Sequence, residues 1–121
     1  MGCRFLDNKD ISVLWKLQQH TEAILRYCAA CKSLADFEMD SMRVEATVFN
    51  LMQIGELAKA ALSVETKTQL TSIPWQQLYG MRNRIVHGYA GIHMQIVWDT
   101  VAEDIPKLNA ELDMILNRVD S

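Results

Sequence analysis

Apolar positions recur at steps of three and four along this chain, the period of a helix buried on one side. In the first stretch Leu14, Leu17, Ile24, Cys28 and Cys31 keep that step, with Thr21 filling the gap. The pattern predicts a helix from Asp10, a candidate N-cap, to about Ser33, after a short lead-in over residues 1–9. An acidic break from Ser33 to Asp40 separates it from a second helix predicted over Ser41–Leu62. There Val44, Val48, Leu51, Gly55, Ala58 and Leu62 share a face. Glycine at position 55 weakens a helix by roughly 1 kcal/mol relative to alanine, so it points to the close approach of another helix. Ser63, with Glu65 or Thr66 behind it, starts a brief helical turn that gives out near Thr71 and Ser72. Pro74 suits the first turn of a third helix, predicted to run to His87, and Gly88 supplies its stop. A last helical stretch over His93–Val119 buries Ile96, Val97, Val101, Ile105, Leu108 and Leu112, then Ile115 and Leu116. Pro106 lies inside it and is expected to kink or split it. With no convincing strand, repeat or linker, the expected fold is all-α. It is a single domain over residues 1–121, an antiparallel bundle of four to five helices.

Composition bounds the function more than the fold. Half of the 121 residues are hydrophobic, enough for one helical core. No apolar run approaches the roughly 18 residues of a membrane span. No charged–apolar–small leader opens the chain, so a cytoplasmic protein is expected. Twelve basic against fifteen acidic residues give a net charge of −3, which excludes indiscriminate binding to nucleic acid. Contact with RNA would need a local basic site, for instance one assembled from two chains. Three cysteines make no disulfide framework and fit a reducing compartment.

The densest chemistry lies between Arg82 and Tyr89, which read Arg-Asn-Arg-Ile-Val-His-Gly-Tyr. His87 falls in the last turn of the third predicted helix, where the helix dipole favours imidazolium, while Arg84 one turn earlier pushes the other way. A pKa near neutrality would let this imidazole accept and donate protons. Arg82 is always charged and can pair bidentately with phosphate oxygens, so it could stabilise a pentacoordinate phosphorus. Asn83, four residues before His87, shares its helix face and could orient the imidazole or the phosphate. Tyr89 adds a hydroxyl just past the helix end. On an ideal helix, Arg82 and His87 stand about 140° apart, so they converge only if the arginine wraps around, the helix end distorts, or two copies face each other. A two-fold dimer would double the local positive charge. The set needs no metal and no cofactor if the substrate is RNA, whose 2′-hydroxyl is an internal nucleophile; DNA lacks that group. Against this stands a plainer reading, in which Arg-Asn-Arg is a solvated helix face and His87 a helix-end residue.

These residues resemble the HEPN superfamily, in its HepT-like branch. Its signature is an arginine followed by a polar residue, then a histidine after four to six residues, as in Arg82, Asn83 and His87. Tyr89 matches the tyrosine that this branch places two past the histidine. Gly55-Glu56, Ile73-Pro74-Trp75, Val97-Trp98 and Glu103-Asp104-Ile105-Pro106 are similar to flanking segments of the branch, so the likeness covers about Leu14 to Leu116. The resemblance implies a dimeric helical bundle whose two motifs line a shared cleft. It implies a metal-independent endoribonuclease toxin carried by Arg82 and His87 with Asn83 assisting. It also implies a partner, a minimal nucleotidyltransferase antitoxin that transfers AMP onto Tyr89, and room for larger assemblies of the two.

Other residues are weighed beside this set. Glu56, one turn from Gln53, is a candidate partner that would fix Arg82 if buried, or a plain exposed glutamate. Cys28 and Cys31 have the spacing of a redox or zinc pair but fall on a buried stripe, which favours core packing. Trp75 and Trp98 read as core or dimer anchors. His20 and His93 read as surface residues, and Glu103, Asp104, Glu111 and Asp113 as a solvated face without metal-site geometry. Two rival functions remain in view: a non-catalytic helical module that docks a nucleotidyltransferase and positions its substrate or nucleotide, and a plain dimeric scaffold.

Overall fold

The computed structural model describes residues 6–85 and 91–120. Helix α1 spans Asn8–Tyr27, and a short α2 spans Leu34–Glu38. Helix α3, Ser41–Glu56, runs on into a π turn at Leu57–Ala61. After the six-residue α4, Val64–Gln69, comes α5, Trp75–Ile85. Helix α6, Met94–Asp99, then passes through a second π turn, Thr100–Asp104, into α7, Ile105–Asp120. All the regular elements among the described residues are helical, as the pattern of apolar positions requires.

α1 is the centre of the bundle, packed between α3 and α7. Its polar bridges give the direction of both neighbours. Gln18 donates to Asp113, and Thr21 Oγ1 donates to Asn109 Oδ1 at 2.8 Å, so α7 runs antiparallel to α1. His20 Nδ1 lies 2.7 Å from Asn50 Oδ1 and Cys28 Sγ lies 3.6 Å from Thr47 Oγ1, so α3 is antiparallel too. Leu14, Leu17 and Ile24 of α1 are fully buried against Leu51 and Ile54 of α3 and Leu112 and Leu116 of α7. Each such side chain is worth about 1.5–3 kcal/mol of burial. Phe37 of α2 closes one end of this core, its ring 5.7 Å from that of Trp98.

Several expected boundaries move, each for a local reason. α1 begins two residues before Asp10, because Asp7 is its N-cap and accepts from the Asp10 amide at 2.8 Å. It ends at Tyr27, not Ser33. Ser33 instead caps α2, accepting from the Asp36 amide at 3.1 Å while Asp36 Oδ2 accepts from the Lys32 amide at 2.9 Å. Arg43 donates to the carbonyl of Tyr27 at 3.0 Å, satisfying one of the acceptors left open where α1 stops. Leu51, Gly55, Ala58 and Leu62 are buried as expected, but in the first half of α3 Val44 and Val48 are half-buried while Thr47 and Asn50 are buried.

The expected break at Pro106 takes the form of the second π turn. Proline has no amide hydrogen, so the regular bond to the carbonyl four residues earlier cannot form. One residue before it, the Ile105 amide reaches back five residues to the Thr100 carbonyl. His20 is also not a plain surface residue, since it is half-buried in its bond to Asn50. Cys28 is buried and Cys31 half-buried, both thiols, and burial pushes the Cys28 thiol above its ordinary pKa. That suits core packing and not a reactive pair.

Candidate active site

Helix α5 carries the described part of the Arg82–Tyr89 segment, and its buried side decides where the polar residues point. Trp75 anchors the start: it is buried, and its indole N–H donates to the Leu70 carbonyl at 2.9 Å. Leu78, Met81 and Ile85 then face the core at helical spacing. Arg82, Asn83 and Arg84 are left in solvent.

Gly55 sets how close α5 lies to α3. A Cβ built there would meet the Leu78 carbonyl oxygen at 3.3 Å and Met81 Cε at 4.0 Å. The close approach expected from that glycine is therefore present, and it brings the next residue, Glu56, into reach of Arg82. Arg82 Nη1 donates to Glu56 Oε1 at 3.0 Å, with the side chains 62% and 54% exposed. The expected partner is found, but in water. Such a pair contributes between about 0 and 1 kcal/mol, so the guanidinium can exchange this carboxylate for another anion at little cost.

Asn83 is exposed, and its amide makes no hydrogen bond among the described residues. Arg84 Nη2 donates to the Gln77 carbonyl at 3.1 Å and lines a narrow cleft with Thr100 and Asp104. Two residues on a helix turn about 200°, so Arg84 is not gathered with Arg82. His87, Gly88 and Tyr89 lie outside the described residues. Beyond them the chain is tied back at His93, whose amide donates to the Ile85 carbonyl at 2.8 Å.

Two residues beside Arg82 were missed in the sequence. Tyr79, one turn before it, is half-buried, and the Lys67 ammonium of α4 stands 5.0 Å from its ring centroid. Lys67 is held there by the carbonyls of Ala58 at 3.3 Å and Lys59 at 3.2 Å, at the π turn that follows Glu56. Only the step of three from Tyr79 to Arg82 could have signalled it. The expected solvated acidic face holds for Glu103 and Asp104, which are exposed, but Glu111 is half-buried and Asp113, though exposed, accepts from Gln18 and ties α7 to α1. Among the described residues, no group of three or more His, Cys, Asp or Glu side chains is arranged to hold a metal ion. No described helix is long and apolar enough to cross a membrane.

The described residues thus form an all-α helical bundle that leaves Arg82 and Asn83 on one open helix face. Residues 17–115 match the family model described as HepT-like, Ribonuclease HepT-like, and the chain belongs to that family. A protein of Caldanaerobacter subterraneus subsp. tengcongensis, provisionally named as an RNase, is 34% identical over 86 residues, covering 71% of this chain and 76% of its own. A Thermococcus cleftensis protein, provisionally named as the ribonuclease HepT, is 32% identical over 80 residues, 66% of this chain and 72% of its own. A Methanocaldococcus jannaschii protein with an equally provisional RNase name is 30% identical over shares of 66% and 72%. No solved structure matches at a significant level. The family makes the chain a ribonuclease, and RNA its substrate.

Proposed function

We propose that this ribonuclease is a metal-independent endoribonuclease acting as a toxin, neutralised by a nucleotidyltransferase that modifies Tyr89 with AMP. The observation that carries the reading is Arg82: a permanent charge on an open helix face, paired among the described residues with an exposed carboxylate and followed by Asn83, whose side-chain amide makes no hydrogen bond among those residues. In this mechanism His87 takes the proton of a ribose 2′-hydroxyl, whose oxygen attacks the adjacent phosphorus. The bond to the 5′-oxygen breaks, that oxygen recovers a proton, and a 2′,3′-cyclic phosphate remains. Arg82 leaves Glu56 to pair with the nonbridging oxygens, where negative charge grows, and Asn83 orients the phosphate. In the modification, the Tyr89 hydroxyl attacks the α-phosphorus of ATP and pyrophosphate leaves. The adduct would fill the phosphate site and cancel its positive charge.

A two-fold dimer belongs to the same reading. Met42 and Phe49, 78% and 59% exposed, stand fourteen and seven residues before Glu56 along one line of α3. Large apolar side chains on a line that ends at the Glu56–Arg82 pair support burial against a second copy. Phe49→Glu is expected to turn a wild-type dimer into a folded monomer by light scattering after size exclusion. A dimer unaffected by that charge would remove this face from the interface.

Expression of the chain without a partner gene tests the function. Wild type is expected to arrest growth and His87→Ala to be harmless, with cellular RNA cut only in the first case. Arrest by both variants would sink the assignment to His87. If neither arrests growth, intact mass must be read for AMP on Tyr89, and a harmless, unmodified protein would overturn the toxin reading.

A further inference from the structure

A groove of about 570 Å³ lies between α4 and α5, immediately before Arg82 on the same helix. Lys67, Thr68 and Thr71 line one side and Trp75, Gln76 and Tyr79 the other. We propose that this groove is a nucleotide subsite, taking one unpaired RNA nucleotide next to the phosphate that Arg82 holds. The inference rests on the ribonuclease reading of Arg82 and extends it to how substrate is gripped.

Four features favour a nucleotide. The volume falls in the range of small-ligand sites, and the lining is mainly apolar with a few polar ends, as such sites are. The half-buried Tyr79 ring lines the groove, and aromatic side chains are the usual means by which unpaired bases are held, here once the Lys67 ammonium gives way. Lys67 stands over that ring and adds positive charge where a ribose-phosphate chain would pass. Finally, Gln76, Tyr79 and Asn83 stand on one face of α5 at steps of three and four. Their side-chain polar groups make no hydrogen bond among the described residues. These donors and acceptors are open to a ligand along the path from the groove to Arg82. Tyr79 and Arg82 are three residues apart, a rise of about 4.5 Å, so a base on one and its neighbouring phosphate on the other fit a single strand. Stacking does not select among bases, so the subsite grips unpaired RNA of any sequence.

The test uses a fluorescent single-stranded RNA oligonucleotide of mixed sequence. Its binding is measured on the uncleaving His87→Ala background, and its cleavage on the otherwise wild-type chain. Tyr79→Leu keeps the apolar volume but removes the ring, and Tyr79→Phe keeps the ring but removes the hydroxyl. In both assays Tyr79→Leu is expected to weaken Kd and raise KM roughly tenfold, the scale of one lost base stack, with kcat little changed. Tyr79→Phe should stay within about twofold, and unchanged melting curves should show that both variants fold. Wild-type cleavage with Kd and KM unmoved by Tyr79→Leu would overturn the subsite while leaving the ribonuclease reading intact. Loss of neutralisation by the nucleotidyltransferase, with RNA constants unmoved, would overturn it in favour of a protein-docking groove. A wild type that does not cut, in a protein whose RNA binding still depends on the Tyr79 ring, would sink the endoribonuclease mechanism and support the subsite. No RNA binding by any variant would overturn both.

Discussion

Alanine at position 82 will lower kcat/KM for single-stranded RNA by at least about a hundredfold, the scale on which one transition-state donor is lost. Its melting temperature will stay within a few degrees of wild type. The two halves of this expectation rest on the same geometry. Arg82 is 62% exposed, and its bond is to the exposed carboxylate of Glu56, so its removal leaves no described buried group unpaired. The structural loss is bounded by the small worth of a surface ion pair. The catalytic loss is large because the guanidinium would meet the phosphate where charge accumulates, and water cannot replace a fixed donor pair there. Arg82→Lys separates charge from shape: a point charge on a flexible stem keeps part of the rate but loses the bidentate fork, so an intermediate activity is expected. Cleavage surviving Arg82→Ala in EDTA, from preparations free of contaminating nuclease, would remove Arg82 from the mechanism.

Much of this was legible in the sequence because it rests on local rules. The stripe Leu14–Leu17–Thr21–Ile24 is buried as its spacing requires, and Gly55 marks a close approach of α3 and α5. The Glu56–Arg82 contact follows from that approach, yet its exposure could not be read from residue types, since it depends on how the two helices are rotated. Pro106 announced a discontinuity but not its form, because a π turn and a kink both relieve a missing amide. Boundaries failed where long-range partners compete with local caps. The apolar spacing carries the first helix to Ser33, which instead caps the next one. His20 reads as a surface residue because its partner Asn50, thirty residues away, gives no signal at helical spacing. Tyr79 and Lys67 give no signal for the same reason, since they meet across two helices, twelve residues apart in the chain. Asp10 is the clearest case, read as the cap of its own helix when its carboxylate serves a different one.

Asp10→Ala is expected to destabilise the protein by about 2–4 kcal/mol at pH 7, the scale for removing a buried charged acceptor from its hydrogen-bond partners. Asp10 is 3% exposed in the first turn of α1. Its carboxylate accepts from the Ser63 amide at 3.2 Å, the Ser63 hydroxyl at 2.8 Å and the Thr66 hydroxyl. Ser63 is in turn the N-cap of α4, accepting from the Thr66 amide at 3.2 Å. A six-residue helix has little stability of its own, so this carboxylate helps to fasten α4, and with it the Lys67 wall of the groove, to the bundle, beside the bonds from Lys67 to the Ala58 and Lys59 carbonyls. Burial alone would raise the Asp10 pKa, but the bonds from Thr66 and Ser63, helped by the charge of Lys9, outweigh it and hold the group below its ordinary 3.8. A depressed folded pKa means that the unfolded chain binds the proton more readily. The stabilisation is therefore fully present above about pH 4 and is lost as pH falls through the lower folded value. Asp10→Asn keeps the shape without titrating. The urea-unfolding difference between wild type and Asp10→Asn should be largest near neutrality and shrink in acid below pH 4. A difference that stays constant from pH 7 to pH 3 would mean that the ionised carboxylate is not what secures α4, and that packing around Thr66 is.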